Sequence, residues 1–144
     1  MILDFALSPG GPLIGIGIDI VEIARIKDLR ERQGERFLDR VYTETELQYC
    51  MRMKAPDQHL AVRFAAKEAV TKAFTVGIGE YFDWKSVGVV AGVRRQPEVE
   101  LDDKGQRFMD QIGGVRILLS LSHSESTATA IAAILGKPQS EAEQ

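Results

Sequence analysis

The amino-acid sequence predicts an α+β fold in which a long helix packs on a mainly antiparallel sheet. Three observations carry this expectation. The segment "IGIGIDIV", Ile14 to Val21, alternates strictly, as a strand does. A helical stretch over 58–74 contains "FAAKEAVTKAF", whose small apolar residues recur at helical spacing. The second half of the chain reads mostly as short strands between turn residues.

In the first strand Ile14, Ile16, Ile18 and Ile20 share one face, the expected core face. Gly15, Gly17, Asp19 and Val21 share the other, which is stripped of side chains next to a carboxylate. Two glycines weaken a strand unless something approaches its backbone closely; the bland alternative is a Gly-rich edge where Asp19 meets water. From Glu22 the period becomes helical, with Ile23, Ile26 and Leu29, then Phe37, Leu38 and Val41 beyond Gly34, a residue suited to breaking or kinking the helix. "TETE", Thr43 to Glu46, has the form of a capping box and opens a short helix through about Met53. Pro56 and Asp57 supply a stop and an N-cap for the long helix, Gln58 to Phe74, and the glycines of "VGIGE" end it. "WKSVGVVAG" and "PEVELD" read as strands around a turn at Arg94 to Gln96. Asp102 to Ile112 is helical, closed by Gly113 and Gly114; "VRILLSLSHS" and "STATAIAAIL" form a last strand pair around Glu125.

The chain has 144 residues, enough for one domain with a real core. Residues 14–135 form that domain, after an N-terminal extension of 1–13 and before a polar C-terminal tail of 136–144. A net charge of −3 gives no global signature of nucleic-acid binding. No apolar run reaches the roughly 18 residues that span a bilayer, and "MILDFALSPGGP" lacks the basic start of a secretion signal. The one cysteine, Cys50, excludes an internal disulfide and fits a reducing compartment. The expected location is cytoplasmic, with no membrane and no nucleic-acid partner.

The charged positions of the long helix pose the functional question. On a helical wheel Val62, Ala66, Ala69, Val70 and Ala73 make a core stripe, and Phe64, Ala65, Glu68 and Lys72 lie opposite. Glu68 and Lys72 at i and i+4 are a favourable surface pair, worth about 0.2–0.5 kcal/mol. They also suit a site: a carboxylate with a lysine one turn away holds a divalent cation while the ammonium neutralises a phosphate, and Mg²⁺ commonly takes one or two protein carboxylates. Asp19, on its glycine-bared face, is the obvious candidate for the second carboxylate, although the sequence alone does not bring it to Glu68. His123, between Ser122 and Ser124 at a strand end, suits a structural hydrogen bond or a phosphate equally well. His59 and Cys50 read as structural, and Trp84 and the tyrosines as core or interface residues. There is no Gly-x-Gly-x-x-Gly, Walker loop, nucleophile elbow or zinc-binding Cys/His cluster.

Three motifs in order, "GIGIDIVEIARI" (Gly15 to Ile26), "RFAAKEAVTKAF" (Arg63 to Phe74) and "LSLSHS" (Leu119 to Ser124), closely resemble the holo-acyl-carrier-protein synthase family, short single-domain phosphopantetheinyl transferases. The resemblance covers about Ile14 to Leu135. It implies a phosphopantetheinyl-transferase-like fold and transfer of the phosphopantetheine arm of coenzyme A to a serine of an apo acyl carrier protein of fatty-acid or polyketide synthesis, releasing adenosine bisphosphate. It implies Mg²⁺ on the donor pyrophosphate, with Asp19 and Glu68 as metal ligands. Glu68 and Lys72 would be catalytic, and Lys72 would also contact the phosphate. Arg63 and His123 would lie on the coenzyme A side. The base for the serine proton stays open among Glu68, Lys72 and a water on the metal. A homotrimer with sites at subunit interfaces is implied as well.

Acyl carrier proteins are acidic, so Arg25, Arg32 and Arg36 are candidate docking cations, sharing a face if one helix runs through Gly34. Neighbouring acids nearly cancel their charge, so a solvated salt-bridged helix is the plain alternative. One departure stands out: Thr75 and Val76 replace the Gly-Thr with which the family commonly opens the loop after Lys-Ala-Phe. Against the transferase stand a non-catalytic coenzyme A- or nucleotide-binding subunit and a Mg²⁺-dependent phosphohydrolase using the same carboxylates.

Overall fold

The computed structural model describes residues 11–138. Strand β1 (Leu13–Glu22) leads into helices α1 (Ile23–Gln33), α2 (Glu35–Val41), α3 (Glu44–Met51) and the long α4 (Pro56–Ala73). A 3₁₀ turn (Trp84–Ser86) precedes strands β2 (Val87–Ala91) and β3 (Pro97–Leu101), followed by α5 (Asp103–Gln111), β4 (Gly114–His123) and β5 (Thr127–Gly136). The strands form two antiparallel sheets, one of order β1-β5-β4 and one hairpin, β2-β3. Helix α4 lies across β1 and β5, so the expected long helix on an antiparallel sheet is the architecture found. Most of the sequence-assigned extension, through residue 10, and the tail from residue 139 lie outside the described residues.

Local chemistry sets most boundaries. Gly34, at φ 57°, ends α1 and returns its N–H to the Arg30 carbonyl at 2.8 Å, so α1 and α2 are separate helices. Thr43 and Glu46 make the reciprocal capping box of α3. Helix α4 starts earlier than its sequence suggests: Pro56 occupies the first turn, where its missing N–H is harmless, and Ala55 is the N-cap. Asp57, read from sequence as that cap, instead receives a two-pronged bond from Arg30 at 2.6 and 2.9 Å, tying α1 to α4. "WKS", read as the start of a strand, is the 3₁₀ turn, closed by reciprocal bonds between Asp83 and Ser86.

The faces of β1 are the reverse of the expectation. Ile14, Ile16, Ile18 and Ile20 are between 42% and 70% exposed. The glycine face is the one that meets the helix. A Cβ on Gly17 would stand 2.1 Å from the Ala69 carbonyl oxygen, and one on Gly15 would stand 2.1 Å from that of Ala73. Ala128, Ala130 and Ala132 of β5, paired with Val21, Asp19 and Gly17, extend the same shallow inner surface and are buried. Alternation identifies two faces but does not say which is inside; here the backbone of α4 decides, because only a bare strand admits it.

Helix α4 is also more deeply buried than a single core stripe requires. Phe64 and Ala65, placed opposite the stripe by the wheel, are buried too. Phe64 stacks on Trp84 with ring centroids 4.7 Å apart. Lys67 is fully buried.

The backbone contact is testable. Gly17→Ala should destabilise the protein by at least about 2 kcal/mol, because the new methyl meets helix backbone that has no rotamer to yield. The measurement is urea unfolding, with a lower midpoint at unchanged slope. A wild-type midpoint would show that α4 does not rest on β1.

Candidate active site

Strand parity puts Asp19 on the inner face, two residues beyond Gly17, at the edge of the helix that Gly17 lets in. Lys72 reaches across this edge: its Nζ donates to Asp19 Oδ1 at 2.9 Å and to the Ile18 carbonyl at 3.2 Å. The Asp19 side chain is mostly covered, whereas that of Lys72 is about half exposed. Asp19 is held further by its own backbone, whose carbonyl accepts from Thr129 Oγ1 of β5 at 2.8 Å.

Glu68 lies one turn before Lys72 and is partly buried. Burial raises its carboxyl above the ordinary glutamate value, and the Asp19 charge raises it further, while Lys72 and Arg25 pull it down. Two carboxylates and two cations therefore form one electrostatic cluster at the β1–α4 edge. Arg25 also lies over the Phe64 ring at 5.6 Å. Glu68 opens into a cleft of about 590 Å³, lined also by Arg40, Ile78, Gly79, Asp83 and Trp84. Sequence reasoning attached no role at this cleft to Arg40, Asp83 or Trp84; their separation along the chain hides the association.

Arg63 and His123 lie elsewhere. At 100° per residue Arg63 is opposite Lys72 and 140° from Glu68 around α4. Its guanidinium sits 4.3 Å over the Tyr49 ring, and its Nη1 donates to the His59 carbonyl at 3.2 Å. Its Nε is buried with no hydrogen-bond partner among the described residues. Burial lowers the pKa of His59, helped by the charges of Arg63 and His123, so these three side chains form a second cluster. Arg63 borders a cavity of about 660 Å³ shared with Tyr49, Arg52, Arg95, Leu119 and Leu121. His123 ends β4, with its Nδ1 3.3 Å from the Ser124 carbonyl. Cys50 is buried, its thiol pushed up to about 11 chiefly by burial, and is inert packing.

The arginines of the docking surface divide. Arg25 and Arg32 share a face of α1, Arg32 paired with Asp28 at 2.9 Å. Arg36 belongs to α2, beyond the Gly34 break, so one continuous helix does not align all three.

Residues 15–132 match the family model of the 4'-phosphopantetheinyl transferase superfamily. A relative from Chlamydia trachomatis serovar D, named holo-[acyl-carrier-protein] synthase, is 43% identical over 120 residues, covering 83% of this chain and 98% of its own. The chain belongs to the holo-acyl-carrier-protein synthase family. A synthase of the same name from Natranaerobius thermophilus is 36% identical over 118 residues, 82% of this chain and 94% of its own. The crystal structure of the Neisseria meningitidis synthase superposes with a TM-score of 0.80 at 32% identity, over 85% of this chain and 98% of that one. The Helicobacter pylori synthase, solved in complex with coenzyme A, gives 0.74 at 32% identity, over 83% and 98%. The α+β phosphopantetheinyl-transferase fold expected from the motifs is thereby borne out.

Within this synthase fold the loop after α4 carries a strained residue. The helix ends in a Schellman motif: Thr75 N–H donates to the Lys72 carbonyl at 2.8 Å and Val76 N–H to that of Thr71 at 3.1 Å. The motif demands a left-handed residue at position 75, and Thr75 adopts φ 62°. A β-branched side chain there is disfavoured by about 1–2 kcal/mol, and Thr75 is exposed, so no buried contact offsets it. Thr75→Gly should therefore stabilise the protein by about 1 kcal/mol, allowing for the greater chain entropy of glycine. Urea unfolding should show a raised midpoint; a lowered one would refute the strain.

Proposed function

We propose that this chain transfers the phosphopantetheine moiety of coenzyme A to a serine of an apo acyl carrier protein, giving holo carrier and adenosine bisphosphate. The serine oxygen bonds to the phosphorus that carries the pantetheine arm as the bond from that phosphorus to the bridging oxygen breaks. Such a transfer needs charge neutralisation and alignment more than covalent help from the protein. Family membership carries the reading, together with the convergence of Asp19, Glu68 and Lys72 at one edge of α4.

The residues fit a magnesium ion. The Asp19 charge raises the Glu68 carboxyl, which a cation between them would relieve; no group of three or more His, Cys, Asp or Glu able to hold a metal occurs among the described residues, so such an ion would rest on these two carboxylates alone. Two carboxylates, with water and donor phosphates completing the shell, is a normal Mg²⁺ arrangement. Bound there, Mg²⁺ would neutralise the donor pyrophosphate. Lys72, held beside Asp19, keeps an exposed ammonium for a phosphate oxygen. Glu68 is the side chain of this cluster that also faces the cleft, where the acceptor serine would enter.

The coenzyme A side falls to Arg63 and His123, supported by the unpartnered Nε of Arg63 and the arginine-lined cavity around it. These residues lie on a different side of α4 from Glu68 and Lys72, so a neighbouring copy is the simplest source of the missing half. The uncovered isoleucines of β1, with Leu118 and Ile131 beside them, form an apolar face suited to such a copy. We read the assembly as a homotrimer with sites at subunit interfaces, in the cytoplasm. No helix among the described residues is long and apolar enough to cross a membrane. Arg25, beside Glu68, and Arg32 on the same face of α1 would receive the acidic carrier, with Arg36 adjacent on α2.

The decisive experiment is intact-mass spectrometry of an apo carrier incubated with the protein, coenzyme A and Mg²⁺, with an EDTA control. A phosphopantetheine mass gain that EDTA removes is expected; coenzyme A binding without any gain on several carriers would mean a non-catalytic binding protein. Glu68→Ala should lower transfer by about 10²-fold or more with thermal stability retained, since the side chain is only partly buried and its backbone bonds remain. Wild-type transfer by that variant would remove Glu68 from the metal. Arg25→Glu should raise the carrier KM about tenfold, a 1.4 kcal/mol loss, and spare coenzyme A affinity. Unchanged carrier kinetics would place docking elsewhere.

A further inference from the structure

We propose that Lys67 is a positioning residue for the transfer, its buried ammonium fixing the Trp84 wall of the cleft into which Glu68 opens. The proposal rests on the transferase reading of Glu68. Lys67 directly precedes Glu68 in α4, yet turns 100° away from it, into the interior. Its side chain and that of Glu46 are both 0% exposed.

The ammonium has three protons and three acceptors: Glu46 Oε1 at 2.7 Å, the Val87 carbonyl at 2.6 Å and the Trp84 carbonyl at 3.1 Å. These two carbonyls bracket the 3₁₀ turn, one at its first residue and one just beyond its last. Glu46 is as fully engaged. Its Oε1 also accepts the Thr43 N–H at 2.8 Å, and its Oε2 accepts the Val89 N–H of β2 at 2.9 Å. The pair thus ties α4, α3 and the start of β2 to the turn that carries Trp84.

Packing alone does not account for this. Burying an ammonium and a carboxylate is unfavourable, and apolar residues of similar volume often serve stability as well or better. What an apolar pair lacks is directional grip on two backbone carbonyls. That grip sets where Trp84 stands, and Trp84 shares the cleft with Glu68 while its ring stacks on Phe64 of α4. Neighbouring residues of one helical turn therefore hold both sides of the cleft: Glu68 supplies one, and Lys67 clasps the other.

Lys67→Met alone strands a buried carboxylate and unfolds the protein, so the test uses Glu46→Gln with Lys67→Met, which removes both charges together at similar volume. Trp84 is the chain's one tryptophan, so its fluorescence reports the wall directly. For the folded double variant we expect acrylamide quenching of Trp84 to rise at least twofold. In the carrier assay kcat should fall at least tenfold, with the KM for coenzyme A within twofold of wild type. A second variant, Trp84→Leu, leaves the clasp intact and removes the wall; it should lose a similar factor in kcat, and adding it to the double variant should cost little more. Wild-type kcat in the folded double variant, or in Trp84→Leu, overturns the proposal, as does lost kcat with unchanged Trp84 quenching. If the double variant fails to fold, Trp84→Leu decides. Wild-type protein that modifies no carrier overturns the transferase reading instead, and the quenching measurement then decides whether Lys67 sets the wall.

Discussion

The site exists because a helix lies on the bare backbone of a strand. Gly15 and Gly17 leave no room for a Cβ beneath Ala73 and Ala69, and this contact fixes the height of α4 above the sheet. Asp19 shares the glycines' face and emerges where the helix edge passes, within 2.9 Å of Lys72. A Cβ at position 17 would meet the Ala69 carbonyl oxygen at 2.1 Å, so a larger residue there would have to lift α4, and with it Lys72, away from the strand's carboxylate. The alanines of β5 serve the same end, since they keep the inner surface shallow across two strands. Small residues gain little from burial individually, so this layer trades bulk for a backbone contact that has no rotamers to choose among.

Two lysines on α4 show how position alone assigns opposite tasks to one side chain. Lys72 sits at the edge, keeps half its surface in water and adds positive charge where the carboxylates converge. Lys67, 140° away around the helix, is enclosed. Burial pulls its pKa down and Glu46 pulls it back up, so the interior charge is stable only as a pair whose remaining bonds are made by backbone. At the edge the balance is reversed: Glu68 is raised by burial and by Asp19, with Lys72 and Arg25 opposing. Asp19 and Glu68 are thus balanced at this edge by Lys72 and by Arg25 of α1.

Much of this was legible in the sequence. The order of elements, the capping box at Thr43, the break at Gly34 and the pairing of Glu68 with Lys72 rest on local pattern, and their physics is local; Asp19, 53 residues from Lys72, joined them only through the family resemblance. What failed depends on partners far along the chain. Hydrophobicity alone points the isoleucines of β1 to the core, because it ranks them above glycine, whereas the glycine–alanine match between β1 and α4 is the better signal of which face is closed. Asp57 looks like a cap until Arg30, 27 residues earlier, claims it. Lys67 is one more charge on a helix until Glu46 is folded against it; sequence showed Glu46 only as half of a capping box. Trp84 reads as a core or interface residue, and its place beside Glu68 depends on a loop whose course no periodicity encodes.

That loop, residues 75–83, gains its course from its ends and one aromatic stack. It leaves α4 through a left-handed Thr75. In its middle Tyr81 stacks on Phe108, which also stacks on Phe74, while Phe82 packs against both Phe74 and Phe108. It ends at the turn that Lys67 clasps. Both ends are thus governed from the last turns of α4, the segment that also supplies Glu68 and Lys72. Concentrating Glu68, Lys72, the Lys67 bonds and the exit turn in one stretch of helix has a mechanical consequence. Any displacement of α4 on the glycines of β1 carries the cleft's two sides along together, so their spacing survives a motion that would separate residues drawn from independent elements.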